Sequence, residues 1–231
     1  MLITVANPTA GQAQSGCAVN LACELSGIEY PSADRWQSRY SVVLFDADPG
    51  SGVVSHYSSG ENLPVSCEHR RLADSNVENW IQRILQIRAQ VDYVVMIDAP
   101  HSEAITKALI GVSDLMVIPC SAAAPDLAAT RSMIALILAA RSKRPDAGPK
   151  CLVVPIRSGS GAVNGYGVGG TLSDLGEPVG PVIDESTAFD NAYRERRWIG
   201  DFAWNSPAHE NIRSLALSVK RMLAAPAPVK S

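Results

Sequence analysis

The residues of this 231-residue chain best suited to chemistry lie in residues 7–16, NPTAGQAQSG. An apolar run at 2–6 precedes them, and Ala18, Leu21, Ala22 and Leu25 follow at helical spacing. A strand, a loop of small residues and a helix place backbone N–H groups and the positive end of a helix in front of an anion. In such a loop Gly11 allows close backbone approach, and Ser15 offers a hydroxyl to Mg²⁺. The same chemistry needs a lysine on the β/γ-phosphates, yet Gln14 stands at that point and no lysine precedes Lys107. A nucleotide site is outlined here without its main cation.

Carboxylates follow two other apolar runs. Asp46 and Asp48 come after residues 41–45, and Asp98 comes after residues 94–97. The carboxyl ends of strands are where an open α/β sheet binds ligands. There such groups hold Mg²⁺, directly or through water, or position an attacking water. Each feature also has a plainer reading. The loop can serve as a tight strand-to-helix turn, Asp-Pro-Gly at 48–50 is a turn signal, and Asp98 can simply end a strand.

The elements that would carry these residues alternate. Continuous apolar strands are expected at 2–6, 41–45, 94–97, 115–119, 151–156 and 181–183. Helices are expected after the first loop and over 77–89 (capped by Asp74 or Ser75), 102–111, 125–141, 186–196 and 208–223. Residues 53–57 and 63–67 read as short edge strands or loop. Residues 157–170 hold six glycines and fit no phosphate fingerprint, which predicts a mobile loop. The Pro/Ala-rich residues 224–231 read as a disordered tail. The pattern predicts one α/β domain over 1–223, with a doubly wound, mostly parallel sheet flanked by helices.

Composition narrows the function classes. A net charge of −3 argues against obligate nucleic-acid binding by bulk charge, although local patches remain open. No apolar run is long enough for a membrane span or shaped like a signal peptide, which predicts a cytoplasmic protein. The five cysteines are scattered without CxxC spacing, as buried thiols in a reducing compartment would be. His56, His69, His101 and His209 show no ligand spacing and read as surface or loop residues. Trp198 and Trp204 are expected to pack the C-terminal helices.

Taken together these motifs resemble the ParA/MinD family of deviant Walker-type P-loop ATPases, and its ParA partition branch in particular. Residues 7–16 align without a gap to the family's N-Q-K-G-G-V-G-K-T-T, and Ala18-Val19-Asn20-Leu21-Ala22 reproduces its A-V-N-L-A. Asp46-Ala47-Asp48-Pro49 is similar to D-x-D-P, and Ile97-Asp98-Ala99-Pro100 to I-D-T-P. Ile118-Pro119 and Pro125-Asp126-Leu127 resemble the I-P…P-x-D-L region. Ala188-Phe189, Ala192-Tyr193, Ala208, Glu210 and Ile212 echo the C-terminal helices.

The resemblance implies ATP and Mg²⁺ as cofactors. Ser15 and Asp46 would stand at the metal, Asp98 near it, and Asp48 at the position implicated in hydrolysis. Gly11, Gln14, Ser15 and Gly16 would line the phosphates. The departures fall in the same loop. Thr9 takes the place of the signature lysine that reaches across a nucleotide-sandwich homodimer, Gln14 that of the P-loop lysine, and Ala10 and Ala13 those of two glycines. Pro155 falls near an adenine-contacting Asn of relatives. The family's use of C-terminal helices on nonspecific DNA points to Arg194, Arg196, Arg197, Arg213, Lys220 and Arg221, which otherwise read as solvated charges at helix ends.

Three functions follow from the resemblance. One is DNA partition or cargo positioning with a ParB-like or other adaptor and a degenerate nucleotide site. Another is a pseudo-ATPase that regulates an active relative, or a conjugation or secretion machine, without nucleotide. A third is a live ATPase in which Lys150 or Arg157 substitutes for the missing cation.

Overall fold

The computed structural model describes residues 1–6, 12–28, 38–47, 52–60, 63–69, 76–99, 102–157 and 172–225. Thr9, Ala10, Gly11, Asp48, Asp74, Ser75, His101, the glycine-rich stretch after Arg157 and the tail from residue 226 lie outside them. The strands are β1 (Leu2–Val5), β2 (Val42–Asp46), β3 (Ser66–His69), β4 (Tyr93–Ile97), β5 (Leu115–Cys120), β6 (Lys150–Arg157) and β7 (Ile183–Asp184). They form one sheet in the order β3-β2-β4-β1-β5-β6-β7, with every pairing parallel. Runs of Val, Ile and Leu without alternating polar positions suit strands covered on both faces, and β1 and β5 are buried along their whole length.

The helices described are α1 (Gln12–Leu25), α2 (Val53–Ser58), α3 (Val77–Arg88), α4 (Glu103–Val112), α5 (Ala124–Lys143), α6 (Thr187–Arg194), α7 (Ile199–Phe202) and α8 (Pro207–Ala224). Alternation along the strands divides the core. Ile3 and Val5 of β1 pack with Leu21, Leu25, Leu215 and Val219 of α1 and α8. Leu2 turns the other way, toward Ile84, Ile105 and Leu109 of α3 and α4. A third cluster joins Met133, Ile134 and Ile137 of α5 to Met116 and Ile118 of β5. The expected doubly wound parallel architecture is the one observed.

Helix starts follow their capping residues. Ser102, Ser186 and Ser206 accept the N–H of Ile105, Ala188 and His209 at α4, α6 and α8. Pro207 fills the first turn of α8, where its missing N–H costs nothing. Helix α5 stops at Arg144, before Pro145. Two expectations are corrected. Residues 53–58 form α2 instead of an edge strand, because Val53, Val54 and Tyr57 recur at helical spacing and bury one face. His209 is no surface residue. It is 0% exposed, its Nε2 lies 3.1 Å from Glu24 of α1, and its Nδ1 accepts the Asn205 N–H.

Candidate functional site

The site is assembled at the carboxyl ends of β2, β4 and β1, three neighbouring strands. Asp46 ends β2 opposite Ile97 of β4, and Asp98 follows Ile97 directly. Both aspartates are 1% exposed. Buried carboxylates need partners, and among the described residues Asp98 has local ones. Its Oδ1 accepts the Ala99 N–H at 2.9 Å, and the Thr106 hydroxyl of α4 lies 3.0 and 2.9 Å from its two oxygens. Asp98 therefore ties the start of α4 to the end of β4. Ser15, 5% exposed, and Gly16 follow Gln14 in the first half of α1, so the structure brings Gln14, Ser15, Gly16, Asp46 and Asp98 to one end of the sheet. Gly11 and Asp48 belong to the same stretches of sequence but lie outside the described residues.

Gln14, which the resemblance aligns with the lysine position, turns inward. It is 3% exposed, and its Nε2 donates to the Val5 carbonyl at 3.0 Å and the Asp98 carbonyl at 3.2 Å. The amide joins the ends of two central strands, and both of its N–H groups have carbonyl partners. The Gln14 amide nitrogen is engaged inside the protein, and as a neutral group it supplies no charge to an anion.

The two candidate substitute cations are at opposite ends of β6. Lys150 is at the amino end, where its ammonium donates to Met222 O at 2.7 Å and to Ala225 O. This corrects the expectation that it could serve the loop, since it caps the C-terminus of α8 on the far side of the sheet. Arg157 is at the carboxyl end, with its guanidinium on Asp184.

Beside α1 lies a cavity of about 520 Å³. Gly16, Cys17 and Asn20 of α1 form one wall, and Val53 and Tyr57 of α2 another. The ends of β6 and β7 (Ile156, Ile183) and Phe189 and Tyr193 of α6 complete it, with Asp184, Glu185 and Asp190 at the rim. Burial pushes the Cys17 thiol up to about 12 and raises the Tyr57 phenol. Asn20 holds two elements together: its Nδ2 donates to Gly16 O at 2.8 Å and its Oδ1 accepts the Ile199 N–H at 2.7 Å. The cavity is not apparent from the sequence, because its wall at Val53 and Tyr57 depends on the short helix α2, where the sequence predicts strand or loop.

Pro155 sits in a break of the sheet next to this cavity. The register between β6 and the following segment slips by one residue between Val153↔Val179 and Ile156↔Ile183. Pro155 and Pro181, neither with an N–H, occupy that interval.

The six candidate DNA-binding cations are spread over several elements. Arg194 ends α6, and Arg196 lies just beyond it, its backbone against Gly60. Arg197 is held by Asp201 at 2.6 Å and Glu195 at 3.6 Å. Arg213 pairs with Glu210 at 3.1 Å. Near the end of α8, Lys220 stands 5.1 Å from the Tyr40 ring centre, and Arg221 lines a groove with Leu152 and Pro181.

No family model and no curated protein matches the chain. Solved structures do. MinD of Aquifex aeolicus superposes with a TM-score of 0.71 at 14% identity, covering 99% of each chain. Cyanothece McdA in complex with ATP gives 0.66 at 16% identity, covering 99% of this chain and 98% of that one. A ParA family ATPase from Chlorobium tepidum gives 0.68 at 12% identity, covering 94% and 97%. The fold is that of the ParA/MinD ATPases. At these identities the likeness concerns the backbone frame. Within that frame Asp46 ends β2, Asp98 follows β4 and Gln14 lies in the first turn of α1.

Proposed function

We propose that the chain is a ParA-like protein of DNA partition or cargo positioning whose nucleotide site binds ATP and Mg²⁺ weakly or not at all. The observation that carries this reading is the buried Gln14 amide, hydrogen-bonded to Val5 O and Asp98 O where a phosphate-binding lysine would stand. Ser15 and Asp46 are the residues that would meet a metal, and Asp48 the one that would act in hydrolysis. Hydrogen bonds to a charged partner contribute about 1.5–3 kcal/mol each, so replacing two lysines by Thr9 and Gln14 costs several kcal/mol against a triphosphate. That difference is on the order of a hundred- to ten-thousand-fold in affinity. Phosphoryl transfer suffers further, since it depends on positioning and charge stabilisation. In this reading the work of the molecule runs through homodimer formation, an adaptor protein and nonspecific DNA.

Thermal unfolding with and without Mg-ATP tests the proposal. The expected result is no shift at millimolar Mg-ATP for the unmodified chain, and a shift once Thr9→Lys and Gln14→Lys are combined. Stabilisation of the unmodified chain at micromolar ATP would overturn it. A second reading, a pseudo-ATPase that acts only through protein contacts, is favoured by the engagement of Arg197 with Asp201 and Glu195 and of Arg213 with Glu210. Gel shifts at low and high salt separate the two. Partition predicts salt-sensitive retardation of DNA that weakens when Arg194, Arg196 and Arg197 become Ala, whereas the pseudo-ATPase predicts none.

A further inference from the structure

The cavity beside α1 has a ligand preference of its own. Its volume of about 520 Å³ is in the range of small-molecule sites. Its walls are mainly aromatic and aliphatic, with Asn20, Ser186 and Thr187 among them, and its rim carries Asp184, Glu185 and Asp190, with no lysine or arginine among the described lining residues. The neighbouring cation, Arg157, is paired with Asp184. Glu185 and Asp190 are exposed, with no ion-pair partner shown among the described residues. The residues that follow Arg157, 158–171, contain no charged side chain.

We propose that this cavity binds a small organic cation with a flat apolar body, in chemical class an arylalkylamine. The ring lies among Tyr57, Phe189 and Tyr193, and the ammonium meets Glu185 and Asp190. Electron-rich ring faces and carboxylates attract the same charge, so the two halves of the site act together. The positive end of α1 opposes them weakly. Gly16 and Cys17 come after its first turn, beyond which the dipole effect falls away. An anion of the same shape meets the Glu185 and Asp190 carboxylates at the rim. The inference rests on the proposed function in one respect only, that no triphosphate holds this end of the sheet.

Isothermal titration of the full chain with tryptamine and with indole-3-acetate tests it, since the two share a ring and carry opposite charges. Tryptamine is expected to bind at least about tenfold more tightly, a difference of about 1.4 kcal/mol. The combined change Glu185→Gln and Asp190→Asn, both at exposed positions, should remove most of that preference without disturbing the fold. Gly16→Leu should abolish binding of either ring. A Cβ at Gly16 meets no atom within 4 Å, so the added side chain has room to enter the cavity. No binding, equal binding, preference for indole-3-acetate, or a preference that survives the rim double variant would overturn the proposal. Mg-ATP titrated separately distinguishes the failures, because tight ATP binding sinks the proposed function whatever tryptamine does.

Discussion

The two ends of the sheet use charge in opposite ways. At the amino end, cations meet carbonyls and carboxylates. Arg88 holds Asp114 at 2.8 Å, and Asp114 in turn accepts the Leu2 N–H. Arg144 donates to Ser113 O at 2.8 Å and Gly111 O at 3.0 Å behind α4, and Lys150 caps α8. At the carboxyl end the buried polar groups include Gln14, Ser15, Asp46 and Asp98, and the one Lys/Arg side chain of β6 there, Arg157, is engaged by Asp184. The chain has 20 lysines and arginines, so cations as such are not scarce. Among the described residues Arg88, Arg141, Arg144 and Lys150 serve carbonyls and carboxylates at the amino end, and Arg157 serves Asp184 at the carboxyl end.

The largest effect that would test this contrast is expected at Arg141. Its guanidinium donates to Pro149 O and to both oxygens of Glu177, whose side chain is 6% exposed. Arg141→Met strands a buried carboxylate and should cost about 3–5 kcal/mol in urea unfolding. A loss below about 1 kcal/mol would show that Glu177 finds water, and the ion pairing of the amino side would then count for little.

Next comes the carboxyl end itself. Gln14→Leu removes the amide's hydrogen bonds to Asp98 O and to Val5 O, which keeps the Asp98 N–H, and at about 0.5–1.5 kcal/mol for each bond should cost about 1–3 kcal/mol by the same measurement. An unchanged midpoint would mean that the amide does not hold these strands. Lys150→Met should cost about 0.3–1 kcal/mol, the usual scale of a cation at a helix C-terminus. It should leave any Mg-ATP response as it was, because the ammonium serves α8 and not the loop.

The smallest expected effect is in acid. The Arg144 side chain, with the Gly148 N–H, holds the Asp146 carboxyl well below the usual carboxylate range. A carboxylate lowered by folding stabilises the protein above its ordinary range, and that contribution is lost as pH falls through the folded value. Comparing urea midpoints at neutral and acid pH, Asp146→Asn should show a smaller acid loss than the unmodified chain. An identical loss would remove Asp146 from the account.

The fold was legible because its strands are unbroken apolar runs, which only a sheet covered on both faces can bury. Its clearest helix boundaries were marked by Ser102, Ser186, Ser206 and Pro145. Of the candidate site, what the sequence made legible was chain order, which puts Gln14, Asp46 and Asp98 after β1, β2 and β4, at one end of the sheet. What could not be read was side-chain direction. Nothing in the sequence says that Gln14 turns back to the strand carbonyls, that Lys150 faces α8, or that His209 is enclosed beside Glu24. Those depend on partners distant in sequence, 72 residues away for Lys150 and Met222 and 185 for His209 and Glu24. Helix α2 was missed for a different reason, since six residues are too few for periodicity to speak clearly.

The central place of β1 has a consequence for how the molecule is made. Leu2–Val5 pairs only with β4 and β5, around residues 94–97 and 115–117. During synthesis this water-averse segment leaves the ribosome long before either neighbour, and loops of about 90 and 110 residues must close before it is covered. Nascent chains halted before Tyr93 therefore present an unpaired hydrophobic strand, the kind of segment that chaperones hold and that aggregates recruit.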